Sequence, residues 1–189
     1  MKNLMVLDVK TTCYPIGQTP TQFIPEIIRI QAIILHTNRM RILEKYHCYI
    51  QPTIFPRLSQ FCTEFTHVQQ QEVDRGIPYQ EAMKAIGKLT IQYQTIPAFW
   101  GYYGHLQLVR QCKRLQVLLP IPKRFITIKH NYSKFYRLKH MKKLGHVLQY
   151  HGLESSVPPT DPIADAKKVA KIISILLEEG WEHRYLTQN

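Results

Sequence analysis

No aspartate or glutamate occurs between Glu81 and Glu154, a stretch of 72 residues that holds 13 lysines and arginines. Chemistry that needs a carboxylate from the middle of the chain is thereby excluded. There is also no run of about 18 apolar residues of the kind that crosses a bilayer. The N-terminus reads as a strand interrupted by Asp8 and Lys10, not as a basic segment leading into an apolar one. A soluble intracellular protein without a membrane partner is expected. The basic cluster at 137–143 is too generic an import signal to choose between nucleus and cytoplasm. Cysteine is sparse: Cys13, Cys48, Cys62 and Cys112 form no C-x-x-C pair, and His140, His146 and His151 do not stand at zinc spacings. Reduced structural thiols are expected, with no metal and no cofactor.

What is present fits one domain spanning 1–189, since 189 residues with 44% apolar content can bury a core unaided. The formal charge of +12 is regional. Residues 82–153 contribute +13, and the remainder carries 12 basic against 13 acidic residues. Charge of one sign gathered in one region points to a face or groove for a polyanion more than to general solubility.

Periodicity predicts strands at 3–9, 27–35 and 41–50, the last two separated by the turn-forming Thr37 and Asn38. Helical spacing follows Pro56 through Leu58, Phe61, Cys62 and Phe65, then covers 68–74, then resumes after Pro78 through Ala82, Ala85, Ile86 and Leu89. A short aromatic strand is expected at 96–102, a helix through Leu106, Leu108, Val109, Cys112 and Leu115, and another short strand at 125–128. Leu138, Met141, Leu144 and Leu148 mark a helix stopping near Gly152. The last helix is expected to start with Asp161 as N-cap and Pro162 in its first position. A three-strand N-terminal meander followed by helices alternating with short strands describes an α/β fold of the ribonuclease-H-like kind, a mixed central sheet flanked by helices.

The first strand ends Val6-Leu7-Asp8-Val9-Lys10-Thr11. Two carboxylates two residues apart on a strand project from one face and can share a metal ion; here the second position is a lysine. Together with Pro25-Glu26-Ile27-Ile28, Tyr49-Ile50-Gln51-Pro52, Leu58-Ser59-Gln60-Phe61-Cys62, Gln71-Glu72-Val73-Asp74-Arg75 and Trp100-Gly101-Tyr102-Tyr103-Gly104, this strand resembles the Eri/KapD-type DEDDh 3′-5′ exonucleases. The similarity runs through nearly the whole chain in the family's order. It implies the ribonuclease-H-like exonuclease fold, and in active members four carboxylates holding two divalent metals beside a histidine that deprotonates water.

On that pattern Asp8 matches the first carboxylate and Asp165 the last. Lys10 stands at the second, Gly104 at the third, and Thr160 where an H-x-x-x-x-D motif places its histidine. The formal charge of the cluster moves from about −4 to about −1, too little to hold two hard cations against their mutual repulsion. The acid-free stretch leaves no nearby carboxylate to replace the third ligand, and a threonine hydroxyl does not titrate near neutral pH. Lys10 can place its ammonium where a metal would sit, against Asp8 or Asp165. His67 stands where the family usually has glycine in a turn. A catalytically inactive, degenerate member is expected.

Candidate nucleic-acid contacts come from the densest basic segment, Lys129, Tyr132, Lys134, Arg137, Lys139, Lys142 and Lys143, where aromatics interleave with cations. Lys113 and Arg114 are candidates to extend the same surface. Tyr102 and Tyr103 either stack on a base beside the vestigial site or fill its volume. The expected function is RNA binding without cleavage, within an RNA-silencing or RNA-processing complex that supplies protein partners. The alternatives are a protein-interaction scaffold in such a complex, and a residual metal-dependent exonuclease.

Overall fold

Strand β1 (Asn3–Thr11) alternates, and its alternation sets the layers. Leu4 and Val6 point into one apolar cluster, and Met5, Leu7 and Val9 into another on the opposite face of the sheet. The computed structural model describes residues 3–154, 156–157, 161–182 and 186–187.

Strands β2 (Ile27–His36) and β3 (Arg41–Tyr49) complete an antiparallel meander with β1. On the other side of β1, β4 (Ile96–Phe99) and β5 (Arg124–Thr127) pair in parallel, and a two-residue β6 (Leu186–Thr187) closes that edge. The order is β3-β2-β1-β4-β5-β6, the mixed sheet expected for a ribonuclease-H-like exonuclease fold. Every residue of β2 except His36 is buried, including Arg29 and Gln31, which interrupt its apolar residues.

Helices α1 (Gln60–Thr66) and α2 (Gln70–Asp74) cover the end of the meander. Helices α3 (Tyr79–Tyr93) and α4 (Tyr102–Leu115) pack through Tyr79, Ala82, Met83, Ile86, Leu108 and Cys112 on the face holding Met5 and Leu7. The opposite face is covered by α5 (Ile128–Phe135), α6 (Leu144–Tyr150) and α7 (Ala164–Glu178) through Tyr132, Val147, Leu148, Val169, Ile172, Ile173 and Leu176. Helix α1 ends on His67 at φ 56°, a left-handed cap that glycine meets without a side-chain penalty.

Four boundaries differ from expectation. The strand expected to reach residue 102 stops at Phe99, because Gly101 caps α4 and the tyrosines open a helix. The helix expected through Leu138 and Met141 starts only at Leu144, with 136–143 forming a loop. Residues 128–135, dense in cations, form α5 because Ile128, Asn131 and Tyr132 recur on one buried face. Helix α7 begins at Ala164, not at Pro162. Asp161 still satisfies its start, its carboxylate accepting from Ile163 N at 3.0 Å and its carbonyl from Ala164 N at 3.0 Å.

Candidate functional site

Asp8 and Lys10 continue the row begun by Leu4 and Val6, so both project from β1 toward the N-terminus of α7. Arg29 is the direct cross-strand partner of Lys10 on β2, just before an irregularity in the β1–β2 register between Lys10 and Thr11. Bulges of this kind recur beside functional sites, where they re-aim side chains. Two cations directly opposite each other repel. Asp165, in the first turn of α7, resolves the conflict: its Oδ2 lies 2.9 Å from Lys10 Nζ and accepts from Arg29 Nη2 at 3.3 Å. Lys10 Nζ is also 3.2 Å from Asp8 Oδ2, and Lys168 Nζ is 3.8 Å from Asp165 Oδ1. Strand β2 fixes the same turn again, since Gln31 Oε1 accepts from Ala166 N at 3.0 Å.

The charges of this cluster follow from its setting. Burial raises the Asp8 carboxyl, and the nearby Lys10 does not fully offset it. Burial acts in the same sense on Asp165, but there the Lys10 ammonium, followed by Lys168 and Arg29, prevails and holds the carboxyl below its usual range. Burial opposes the charge on Lys10, and the two carboxylates overcome it and raise its pKa. Lys10 is therefore a permanent cation near neutral pH, seated between both retained acids.

These residues do not fit the metal pair implied by a DEDDh pattern. The Lys10 ammonium stands 2.9 and 3.2 Å from the oxygens a metal would share, at ammonium contact distance, whereas Mg²⁺ or Ca²⁺ needs oxygens at about 2.0–2.6 Å. Arg29 and Lys168 bring the local count to three cations against two carboxylates. Among the described residues no three His, Cys, Asp or Glu gather in the manner of a metal site. At Gly104 on α4 an added Cβ would lie 3.0 Å from Phe99 Cδ1 and 3.5 Å from Val9 Cγ2, so a side chain at the third ligand position meets the core. Thr160 lies outside the described residues.

An exonuclease family model, RNase T, matches residues 5–172. The chain belongs to this exonuclease family. Human 3′-5′ exoribonuclease 1 is 27% identical over 191 residues, covering 96% of this chain and 54% of that protein. Mouse ERI1 exoribonuclease 2 is 31% identical over 201 residues, covering 94% of this chain and 29% of that protein. The chain thus spans about half, or less, of the length of these relatives. Among solved structures, the nuclease domain of 3′hExo, a DEDDh family member bound to rAMP, matches with TM-score 0.89 at 25% identity, over 100% of this chain and 98% of that one. The RNase T fold thus accounts for the sheet order, and the site described above occupies the end of β1 where the Asp8 motif begins.

Arg29 is the residue that sequence reasoning missed. The signal that could have found it is a cation standing inside the β-branched run at 27–35. Glu26 itself is buried and holds the 53–55 loop, accepting from the backbone of Thr53, Ile54 and Phe55 and from the Thr53 hydroxyl. The two tyrosines divide: Tyr103 shares a 2.9 Å hydrogen bond with Thr11 Oγ1, and Tyr102 packs on His105 and Phe125.

The candidate nucleic-acid contacts do not form one surface. Lys113 and Arg114 lie on α4, on the opposite side of the sheet from α5, α6 and the 136–143 loop. Arg114 is engaged internally, donating to Glu26 Oε1 at 3.1 Å. Tyr132 is 4% exposed, its hydroxyl 3.0 Å from His151 Nε2, so it supports the surface from beneath and offers no face to a base. Lys129 is half-buried, while Lys134, Arg137, Lys139, Lys142 and Lys143 are exposed and have no carboxylate partner among the described residues.

Proposed function

We propose that this member of the RNase T family is a pseudo-exonuclease that holds RNA without cleaving it, on the basic surface formed by α5, the 136–143 loop and α6. The observation that carries the loss of catalysis is the Lys10 ammonium seated between Asp8 and Asp165 with Arg29 behind it. An ammonium donates hydrogen bonds, but it does not generate hydroxide from water near pH 7 as a divalent ion does. The acid-free stretch from 82 to 153 supports polyanion binding, because its cations meet no carboxylate from their own segment. That the relatives are named exoribonucleases favours RNA as the polymer. We place the protein in an RNA-processing or RNA-silencing assembly, with protein partners.

A scaffold role has one observation in its favour. Phe61 and Phe65 stack at 5.6 Å on the exposed side of α1, with Phe65 69% accessible, a feature suited to a protein partner.

The test is a titration of single-stranded RNA with the purified chain across a salt series, with Mg²⁺ or Mn²⁺ present and RNA integrity read on a gel. Intact RNA bound with a steep salt slope is the expected result. Intact, unbound RNA would favour the scaffold, and shortened RNA would overturn the loss of catalysis.

A further inference from the structure

A groove of about 580 Å³ opens between α5, the basic loop and α6, within the range of small-molecule sites, about 300–1,000 Å³. Its lining includes Tyr132, Tyr136, Leu138, Lys142, His146 and Tyr150. Tyr132 forms the floor, locked by its contact with His151. Tyr136 lies against Tyr132 with ring centroids 4.6 Å apart, and its orientation is set by a 2.8 Å hydrogen bond donated to Glu179. Tyr150 is 77% exposed and stands at the rim, its ring edge-on to His151 at 5.1 Å. The Glu179 carboxylate is taken up by the Tyr136 hydroxyl, and the flanking Lys139, Lys142 and Lys143 are exposed.

Resting on the RNA-binding reading above, we propose that this groove is a base-binding subsite: one unstacked nucleobase lies against Tyr150 and Tyr136, and the adjoining phosphates meet Lys142 and Lys143. Three features select a nucleotide over other occupants. The ring of Tyr150 has no core role that explains its exposure, so it is free to stack. Leu138 and the tyrosine faces supply an apolar slot for a flat heterocycle. Among the described residues, the exposed Lys139, Lys142 and Lys143 outnumber the one carboxylate at the groove, Glu179, and attract a phosphodiester beside that heterocycle. The subsite lies on the face of the sheet that carries α5 and α6 and uses neither Asp8 nor Lys10.

The experiment measures binding of a single-stranded uridine octamer to the whole chain and to Tyr150→Ala, Tyr150→Trp and Lys142→Gln, each across a salt series. Tyr150 is exposed, so its variants fold, and equal melting temperatures confirm it. Tyr150→Ala is expected to bind about 5- to 100-fold more weakly with the salt slope unchanged, and Tyr150→Trp to bind as the parent does. Lys142→Gln is expected to lower the salt slope by about 0.7. A parent that binds the octamer while Tyr150→Ala binds equally well would overturn the subsite and leave the RNA-binding reading standing. A parent that does not bind at all would overturn both. Displacement of the octamer by an oligoglutamate of equal charge at equal concentration would overturn the base-binding claim in favour of an acidic-peptide surface.

Discussion

Replacing Lys10 by methionine keeps most of the side-chain bulk and removes the cation that Asp8 and Asp165 share. Each contact, at 3.2 and 2.9 Å, carries a gross attraction of about 5–6 kcal/mol at an effective dielectric of about 20. Desolvation and side-chain ordering oppose this, and the three side chains are each about a quarter exposed. The net loss expected at pH 7 is therefore about 1–3 kcal/mol, between the values for exposed and buried pairs. For a chain of this length that is a fall in melting temperature of about 3–10 °C. Differential scanning calorimetry in chelator-containing buffer measures it, with Lys134→Met as the exposed control expected to melt unchanged. Acidification supplies a second arm. Asp165 has a lowered folded pKa, so its stabilisation is present above the unfolded value of about 3.9 and is lost as pH falls through the lowered value. The parent and variant curves should thus converge below about pH 4. A Lys10→Met protein that melts within a degree of the parent at pH 7, or above it, would refute the view that this ammonium stabilises the site.

His105 is fully buried, stacked on Phe125 at 3.8 Å, and among the described residues neither ring nitrogen has a hydrogen-bond partner. Burial lowers its pKa, so the unfolded chain binds the proton first and stability falls as pH drops below about 6.5; His105→Phe should flatten that part of a thermal-stability profile between pH 7 and 5. Gly104→Asp forces a Cβ to within 3.0 Å of the Phe99 ring and should cost about 1–3 kcal/mol in chemical denaturation. Combined with Lys10→Glu and Thr160→His, it should still show no Mg²⁺ binding by calorimetry, because Arg29 remains at Asp165. Arg114→Ala should lower stability by about 1–3 kcal/mol, since Glu26 is buried and keeps only its 53–55 loop donors, and should leave RNA affinity unchanged in the same titrations.

The fold was readable where one period dominated. The alternation of β1 and the β-branched run of β2, broken only by Arg29 and Gln31, both pointed to strands, as the sheet shows. Helix α5 was hidden because its cations drew attention to charge, while Ile128, Asn131 and Tyr132 carried the helical period on the buried side. At the site, Asp8 and Lys10 were legible from strand spacing, whereas Asp165, distant in sequence, was legible only through the resemblance to the exonuclease pattern. Arg29 was visible as a cation within a strand, but its place opposite Lys10 and against Asp165 depends on cross-strand register, which a sequence does not display. The basic surface was half legible for the same reason: linear proximity identified the exposed lysines, but it could not say that Tyr132 points inward, that Arg114 meets Glu26, or that α4 lies across the sheet.

The cation in this site belongs to the backbone of β1, so it is a tethered counter-ion whose occupancy no chelator or change in ion supply alters. A dissociable ion leaves its ligands available for other uses each time it departs, but Lys10 never departs. Asp8 and Asp165 are thereby held by a residue that cannot be exchanged, and the start of α7 is anchored to the sheet through it. Reversal of the one lysine is also unfavourable by itself, since Lys10→Glu would bring a third carboxylate beside Asp8 and Asp165 while Arg29 and Lys168 still repel an incoming ion. Lys10→Glu and Gly104→Asp are therefore each expected to lower the stability of the folded chain when made singly.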